Sequence, residues 1–183
     1  MLNLTFKNFV KLTDEEKRLV LDWRNSDRIR LKMNNKEIIS LEKHLTWLET
    51  LKNREDSIYY LCFVDDTPIG VFDFTNIDKD NKSCVGGAYI GDTDYLGFGI
   101  VQCFYIFVYA FEKQNWEKIF ADVLKSNKRV YKMHKQIFNA IDLKEDENSY
   151  FIYWDKNIWD KNKTKLIEQI KNIYEIETVK WVD

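Results

Sequence analysis

Residues 94–111 read Asp94-Tyr95-Leu96-Gly97-Phe98-Gly99-Ile100-Val101-Gln102-Cys103-Phe104-Tyr105-Ile106-Phe107-Val108-Tyr109-Ala110-Phe111. Two features meet in this stretch. Glycines at 97 and 99 let a backbone turn tightly and come close to a ligand. Beyond them, Ile100, Cys103, Phe104, Phe107 and Phe111 recur at helical spacing, and the other faces are apolar as well, so the stretch reads as a central, buried helix. The first amides of a helix lack internal acceptors and sit at the positive end of its dipole. Such a junction suits a pyrophosphate without needing a lysine. A tight turn or helix cap that binds nothing uses the same two glycines. The run lacks the first glycine of a dinucleotide fingerprint and the lysine of a nucleotide-triphosphate loop.

Upstream, the period is that of strands. Ile58 to Val64 is an apolar run, Asp65-Asp66-Thr67-Pro68 a turn, and Ile69 to Thr75 a second run, which together predict a hairpin. Asp78-Lys79-Asp80-Asn81-Lys82 predicts the next turn and Ser83 to Ile90 a third antiparallel strand. Nearer the start, Thr5 to Val10 is strand-like. Thr13 and Glu16 form a capping-box pattern for a helix over 14–23. Ser40 is positioned to cap a second helix, on which Leu41, His44, Leu45, Leu48 and Leu51 share one side.

Downstream, Lys118 to Leu124 predicts a strand, Asn127 opens a short helix carrying Val130, Met133, His134 and Ile137, and Tyr150 to Trp154 predicts another strand. The fold class that follows is α/β (α+β): a single mixed, mostly antiparallel sheet with helices on both faces. Residues 1–155 make one domain. Residues 156–183 read as a helical extension, packed on that domain or on a partner subunit, in which 178–182 are positioned to add a strand.

Composition narrows the function. The chain has 183 residues, 45% hydrophobic and 15% aromatic, with 28 basic and 30 acidic side chains and a formal charge of −2. That balance argues against a nucleic-acid partner. Cys62, Cys84 and Cys103 are odd in number and widely spaced, which fits free thiols in a reducing compartment and no metal site. The opening Met1-Leu2-Asn3-Leu4 lacks the basic segment and apolar run of a secretory leader. The most hydrophobic stretch, residues 100–111, has twelve residues, too few for a membrane helix. The expectation is a cytoplasmic protein with no membrane partner, acting as a monomer or homodimer.

From Thr5 to Trp154 the chain resembles the GCN5-related N-acetyltransferases (GNAT fold). Their pyrophosphate motif is Gln or Arg, two variable residues, Gly, any residue, then Gly or Ala; here it stands as Asp94-Tyr95-Leu96-Gly97-Phe98-Gly99, with the first position acidic. Asn127-Lys128-Arg129-Val130 resembles the family's second coenzyme element. The resemblance implies splayed fourth and fifth strands, acetyl-coenzyme A as cosubstrate, no metal, and direct attack by a neutral amine. It implies coenzyme contacts at Ala88, Tyr89, Ile90, Tyr95, Leu96, Gly97, Phe98, Gly99, Ile100, Asn127, Arg129, Val130 and Met133. Lys125, Lys128, Arg129 and Lys132 form a basic patch beside them.

His134 stands where the family places a tyrosine that protonates the departing thiolate, which implies a general acid; from the residues alone, beside Met133 and Ile137, it reads first as a packed or capped histidine. Tyr131 and Tyr89 are rival hydroxyls. The glutamate of the family's fourth strand is replaced by Val85, leaving Asp73, Asp92 or a water as base.

More narrowly, the chain resembles the N-acetyltransferases that modify the 4-amino group of UDP-linked dideoxy amino sugars in pseudaminic acid synthesis. Trp23-Arg24-Asn25, Ile29-Arg30 with Met33, Ile39-Ser40 with His44, and Ser83 to Tyr89 carry that likeness. It implies an acceptor site at Arg24, Asn25, Arg30, Met33, His44, Trp47 and Asp73, each of which also admits a structural role. A protein N-terminus, a polyamine or another small amine is the alternative acceptor. A coenzyme A-binding protein without turnover is the non-enzymatic alternative.

Overall fold

Strands β4 (Ser83–Ile90) and β5 (Lys118–Leu124) run parallel and pair over three residues, Ser83–Lys118, Cys84–Ile119 and Val85–Phe120, and then part. This divergence shapes everything that follows. It sits inside one eight-stranded sheet ordered β6-β7-β5-β4-β3-β2-β1-β8 in the computed structural model, which describes residues 1–183. The remaining strands are β1 (Leu2–Asn8), β2 (Ile58–Val64), β3 (Thr67–Asp78), β6 (Ile141–Glu145), β7 (Ser149–Asp155) and β8 (Ile176–Val182). Pairing is antiparallel except at β4/β5 and β1/β8.

Alternation along the strands gives the sheet two apolar faces. On one, Tyr60, Cys62, Phe72, Phe74, Cys84 and Ile119 pack against α4 (Gly99–Phe107), its continuation Val108–Lys113, α5 (Lys128–Gln136) and α6 (Lys156–Lys171). On the other, Leu61 and Val71 pack against Val20 of α1 (Asp14–Asn25) and Leu48 of α3 (Leu41–Thr50). Each fully buried side chain of this size contributes about 1.5–3 kcal/mol. The three cysteines are free and buried.

Local signals account for the helix starts. Thr13 and Glu16 complete the capping box, and the Ser40 hydroxyl accepts from the Lys43 amide. A single turn of helix, α2 (Asp27–Arg30), follows α1.

Several expectations need correction. The first strand ends at Asn8, whose side chain caps a 3-10 turn over Phe9–Lys11. The helical run through α4 spans Thr93–Lys113, 21 residues, and is apolar and long enough to cross a membrane. Twelve residues was therefore an underestimate. Its apolarity is explained by packing in the core, with Val101 and Ala110 fully buried. Strand β6 was not expected; all five of its residues are exposed, so no burial pattern marks it. Residues 156–183 are a helix plus a strand. Trp159, Leu166 and Ile170 enter the main core, and β8 pairs with β1.

Candidate active site

Parting strands leave the β5-facing edge of β4, Gly86 to Ile90, without a partner strand. Backbone groups there are free to bond a ligand. A cavity of about 1390 Å³ lies at the wedge and is lined by residues from elements on both faces of the sheet. Its rim is braced by the segment after α1. Arg28 donates from both Nη atoms to the Ile90 and Gly91 carbonyls, at 2.9 and 2.5 Å. Asn34 donates to Asp122 of β5 at 2.8 Å. The two sides of the wedge are thus tied to one loop.

On the α4 side, Leu96, Gly97, Gly99 and Ile100 line the cavity. The expected open turn is instead a pair of 3-10 turns over Thr93–Phe98, kinked at Tyr95 and leading into α4, and no glycine has positive φ. Asp92 caps it by accepting from the Asp94 amide. The glycines matter for what they leave empty. A Cβ on Gly99 would meet nothing nearer than Ile90 at 3.9 Å, and one on Gly97 only the Tyr174 hydroxyl at 3.3 Å. The start of α4 has no side-chain cap. Bare backbone at a helix start, facing an open cavity, fits a pyrophosphate. Tyr95 and Phe98 do not line the cavity: Phe98 is buried edge-to-face on Tyr174 and Tyr95 packs against the core.

On α5, Asn127 makes no side-chain cap bond, so its amide is open to the cavity it lines with Arg129, Val130 and Met133. Lys128 and Lys132 line it too, whereas Lys125 pairs with Glu145 at 3.4 Å. Ala88, Tyr89 and Ile90 contribute the β4 wall.

Across the sheet lies a second chamber. Arg24, Met33, His44, Trp47, Tyr59, Asp73 and Tyr89 line it. His44 is buried, and its Nε2 lies 3.0 Å from the Lys17 carbonyl. A carbonyl partner requires the proton on Nε2, leaving the Nδ1 lone pair available. Burial pushes His44 below its ordinary value. Burial also raises the Asp73 carboxyl to about 7 and moves the Tyr89 phenol up, the latter with help from Asp73 and opposed by Arg24. Arg24 donates from Nη2 to the Asn35 carbonyl at 2.7 Å, while its buried Nη1 has no partner.

Two residues expected in this chamber are elsewhere. Asn25 spends its side-chain amide on both backbone groups of Ile39, at 2.8 and 2.9 Å. Arg30 bonds the Lys36 carbonyl at 2.6 Å and Asp27. Both hold the loop over 31–39, and neither lines the cavity. Tyr131 is likewise committed, donating to Asp142 at 2.9 Å and stacked on Tyr150.

His134 lines the wedge from α5, and burial pushes its imidazole down to about 4. It is neutral at physiological pH, so an imidazolium proton is not on hand in the ligand-free protein. Arg28, Lys32, Lys43 and Tyr59 also line the cavity and were missed. Arg28 adjoins the Ile29-Arg30 pair that carried the family likeness, but no local pattern tells which of two arginines two residues apart turns inward.

Residues 11–151 match the Acetyltransferase (GNAT) domain family. The chain belongs to the GNAT acetyltransferase family. Acetyltransferase PseH of Campylobacter jejuni is 35% identical to this GNAT chain over 149 residues, covering 81% of the chain and 92% of PseH. The crystal structure of C. jejuni N-acetyltransferase PseH in complex with acetyl coenzyme A superimposes with a TM-score of 0.69 at 31% identity, covering 84% of this chain and 99% of that one. Spermidine N-acetyltransferase from Vibrio cholerae, in complex with CoA and spermine, has a TM-score of 0.76 over 85% of this chain and 97% of its own. At 14% identity that likeness concerns the fold alone.

The GNAT chain is an acetyl-CoA-dependent N-acetyltransferase. Its own geometry fits the cosubstrate. Gly97 and Gly99 leave space at the α4 start, Asn127 and the basic α5 residues face it, and the wedge leads from there to the second chamber.

Proposed function

We propose that this enzyme transfers acetyl to the 4-amino group of a UDP-linked dideoxy amino sugar. The observation that carries this is Arg24 Nη1, a buried cationic donor without a partner on the wall of the acceptor chamber. A phosphoryl oxygen is the acceptor such a donor lacks, and guanidinium–phosphate bonds are charge-assisted. Arg28, Lys32 and Lys43 line the cavity with it. A polyamine would enter against this positive charge, which argues against the spermidine reading despite the shared fold. The identity to PseH over most of the chain supports the same choice.

Each residue then has a task. Acetyl-CoA, when bound, supplies the electrophilic thioester carbon. Amides of the unpaired β4 edge are placed to stabilise developing negative charge on an oxygen in the wedge. Asp73, held near neutrality, takes a proton from the amine that enters the acceptor chamber. His44 Nδ1 accepts from a hydroxyl or amine of the acceptor. Trp47 stands edge-on to Tyr59 with centroids 4.9 Å apart and makes an apolar wall for a sugar ring. Asn127 and Arg129 hold the coenzyme on the other side.

The test is acceptor profiling by mass spectrometry. Purified enzyme is incubated with acetyl-CoA and, separately, a UDP-linked 4-amino dideoxy sugar, spermidine and a panel of peptide N-termini. The sugar nucleotide should be acetylated with kcat/KM at least 100-fold above the others. Turnover of a peptide or spermidine, with the sugar nucleotide untouched, overturns the assignment.

A further inference from the structure

Two polar atoms at the α5 end of the cavity have no partner within the protein. They are Nδ1 of His134 and Nε1 of Trp154. His134 lies on α5, and Trp154 on β7 opposite Ile119 of β5. Both residues line the cavity. Their rings meet edge-to-face, centroids 5.0 Å apart at 68°. Trp154 is otherwise enclosed, 3% exposed, against Phe107 at 5.0 Å. Phe138 stands on the far side of His134 at 6.2 Å.

Leaving a buried polar atom unpaired costs about 1–3 kcal/mol. Two such atoms on touching side chains therefore point to a shared ligand group. An indole N–H donates and accepts nothing. Neutral imidazole carries one N–H and one lone pair, and the tautomer with the N–H on Nδ1 makes His134 a second donor beside the indole. The aromatic and aliphatic neighbours offer no acceptor, so the missing group is an acceptor from outside the chain. In acetyl transfer two groups gain negative charge: the carbonyl oxygen, assigned above to the amides of the β4 edge, and the sulfur, which is left for donors at the α5 end of the wedge.

We propose that Trp154 Nε1 and His134 Nδ1 form a two-donor cradle for the sulfur of coenzyme A, so that it departs as a hydrogen-bonded thiolate. The inference rests on the acetyl-transfer reading above. The amine lone pair forms the new C–N bond, the C–S bond breaks, and its electron pair stays on sulfur. The proton shed by nitrogen goes to the Asp73 carboxylate. The thiolate keeps its charge until release, when it is protonated by solvent. The indole N–H never transfers its proton; its contribution is a hydrogen bond that strengthens as sulfur becomes anionic. His134 acts in the same way, as a neutral donor.

The experiment reads the Trp154 indole N–H resonance by two-dimensional NMR of the full chain, assigned by its loss in Trp154→Phe. Coenzyme A and desulfo-coenzyme A, which lacks the sulfur, are titrated in turn. The resonance should move downfield with coenzyme A, further as pH rises and the thiol ionises, and stay in place with desulfo-coenzyme A. Wild type should bind coenzyme A several-fold tighter than the desulfo compound at high pH, and Trp154→Phe should lose that preference. Equal shifts with both ligands, or no shift while coenzyme A binds, overturn the cradle and leave acetyl transfer standing. Failure of coenzyme A to bind at all defeats the acetyl-transfer reading itself. Should Trp154→Phe not fold, sequential assignment in the wild-type chain identifies the same resonance and the two-ligand comparison still decides.

Discussion

The carboxylate of Asp73 occupies the space that a side chain on Gly87 would need. A Cβ built there would lie 2.8 Å from Oδ1 and 3.0 Å from Oδ2. The two residues face each other across the β3–β4 pair, on the face that carries the second chamber. Glycine in the fourth strand thus gives room to an acid from the third.

Gly87→Ala should fold, because the group it strikes is the mobile end of a side chain, but it should swing the Asp73 carboxylate out of place. A loss of kcat with an unchanged melting temperature and unchanged acetyl-CoA affinity is expected. Normal kcat would show that the position of this carboxylate is immaterial.

Asp73→Asn removes the titrating group while keeping its shape. Turnover should fall about 10²–10⁴-fold. In wild type, kcat/KM should rise with pH through about 7, where Asp73 ionises, and the variant should lack that limb. The sign for stability runs the other way. A carboxyl whose folded value is raised favours the fold while protonated, and that contribution is lost as pH rises through about 7. Melting temperature should therefore fall as pH rises from about 4 to about 7 in wild type, with no further loss from this group above that, and fall less over the same window in the variant. Parallel curves would contradict the buried state of Asp73.

For His134 the direction is opposite. Its folded value is lowered to about 4, so the unfolded chain takes up a proton first as pH falls below about 6.5. Stability contributed by the neutral, buried ring is lost between these limits. His134→Phe should flatten the melting curve from pH 6.5 to 4 and lower turnover about 10²-fold, the scale of one lost transition-state donor. Unchanged turnover removes the residue from the chemistry.

Gly97→Val tests the pyrophosphate cradle. A Cβ at 97 meets only the Tyr174 hydroxyl, at 3.3 Å, the far end of a side chain that can shift, so the protein should fold. Acetyl-CoA affinity by calorimetry should drop at least 10-fold, because the branched side chain stands where the ligand must approach. Wild-type affinity would place the diphosphate elsewhere.

Gly91→Ala addresses the opposite case. A Cβ there would fall 2.0 Å from the Trp23 ring. No flexible neighbour can yield, since Trp23 is held on α1 over the acceptor-side core. Destabilisation of about 1–3 kcal/mol by denaturant titration is expected. A stable variant would mean that α1 shifts freely.

Much of the fold was legible because its signals are local. The Thr13–Glu16 box, the Asp65–Pro68 turn and the apolar period after Gly99 each act within a few residues, and each element formed where its pattern lies. Strand β6 was not legible, since all of it is exposed and it exists through pairing with β7. The shape of the glycine segment was misread because glycine permits both an open turn and the helical backbone found there; the pull of α4 on the preceding turn decided between them.

The site divides along the same line. Sequence by itself determined the family and the cosubstrate, because those depend on short motifs whose spacing is set by the helix. Tertiary structure alone decided that Arg24 faces the cavity while Arg30 ties down a loop, that Asn25 serves Ile39, and that Asp73 and Trp154 line one cavity. These placements come from strands far apart in the chain meeting in the sheet. The electrostatic state of a side chain follows from what surrounds it, and no local pattern records those neighbours.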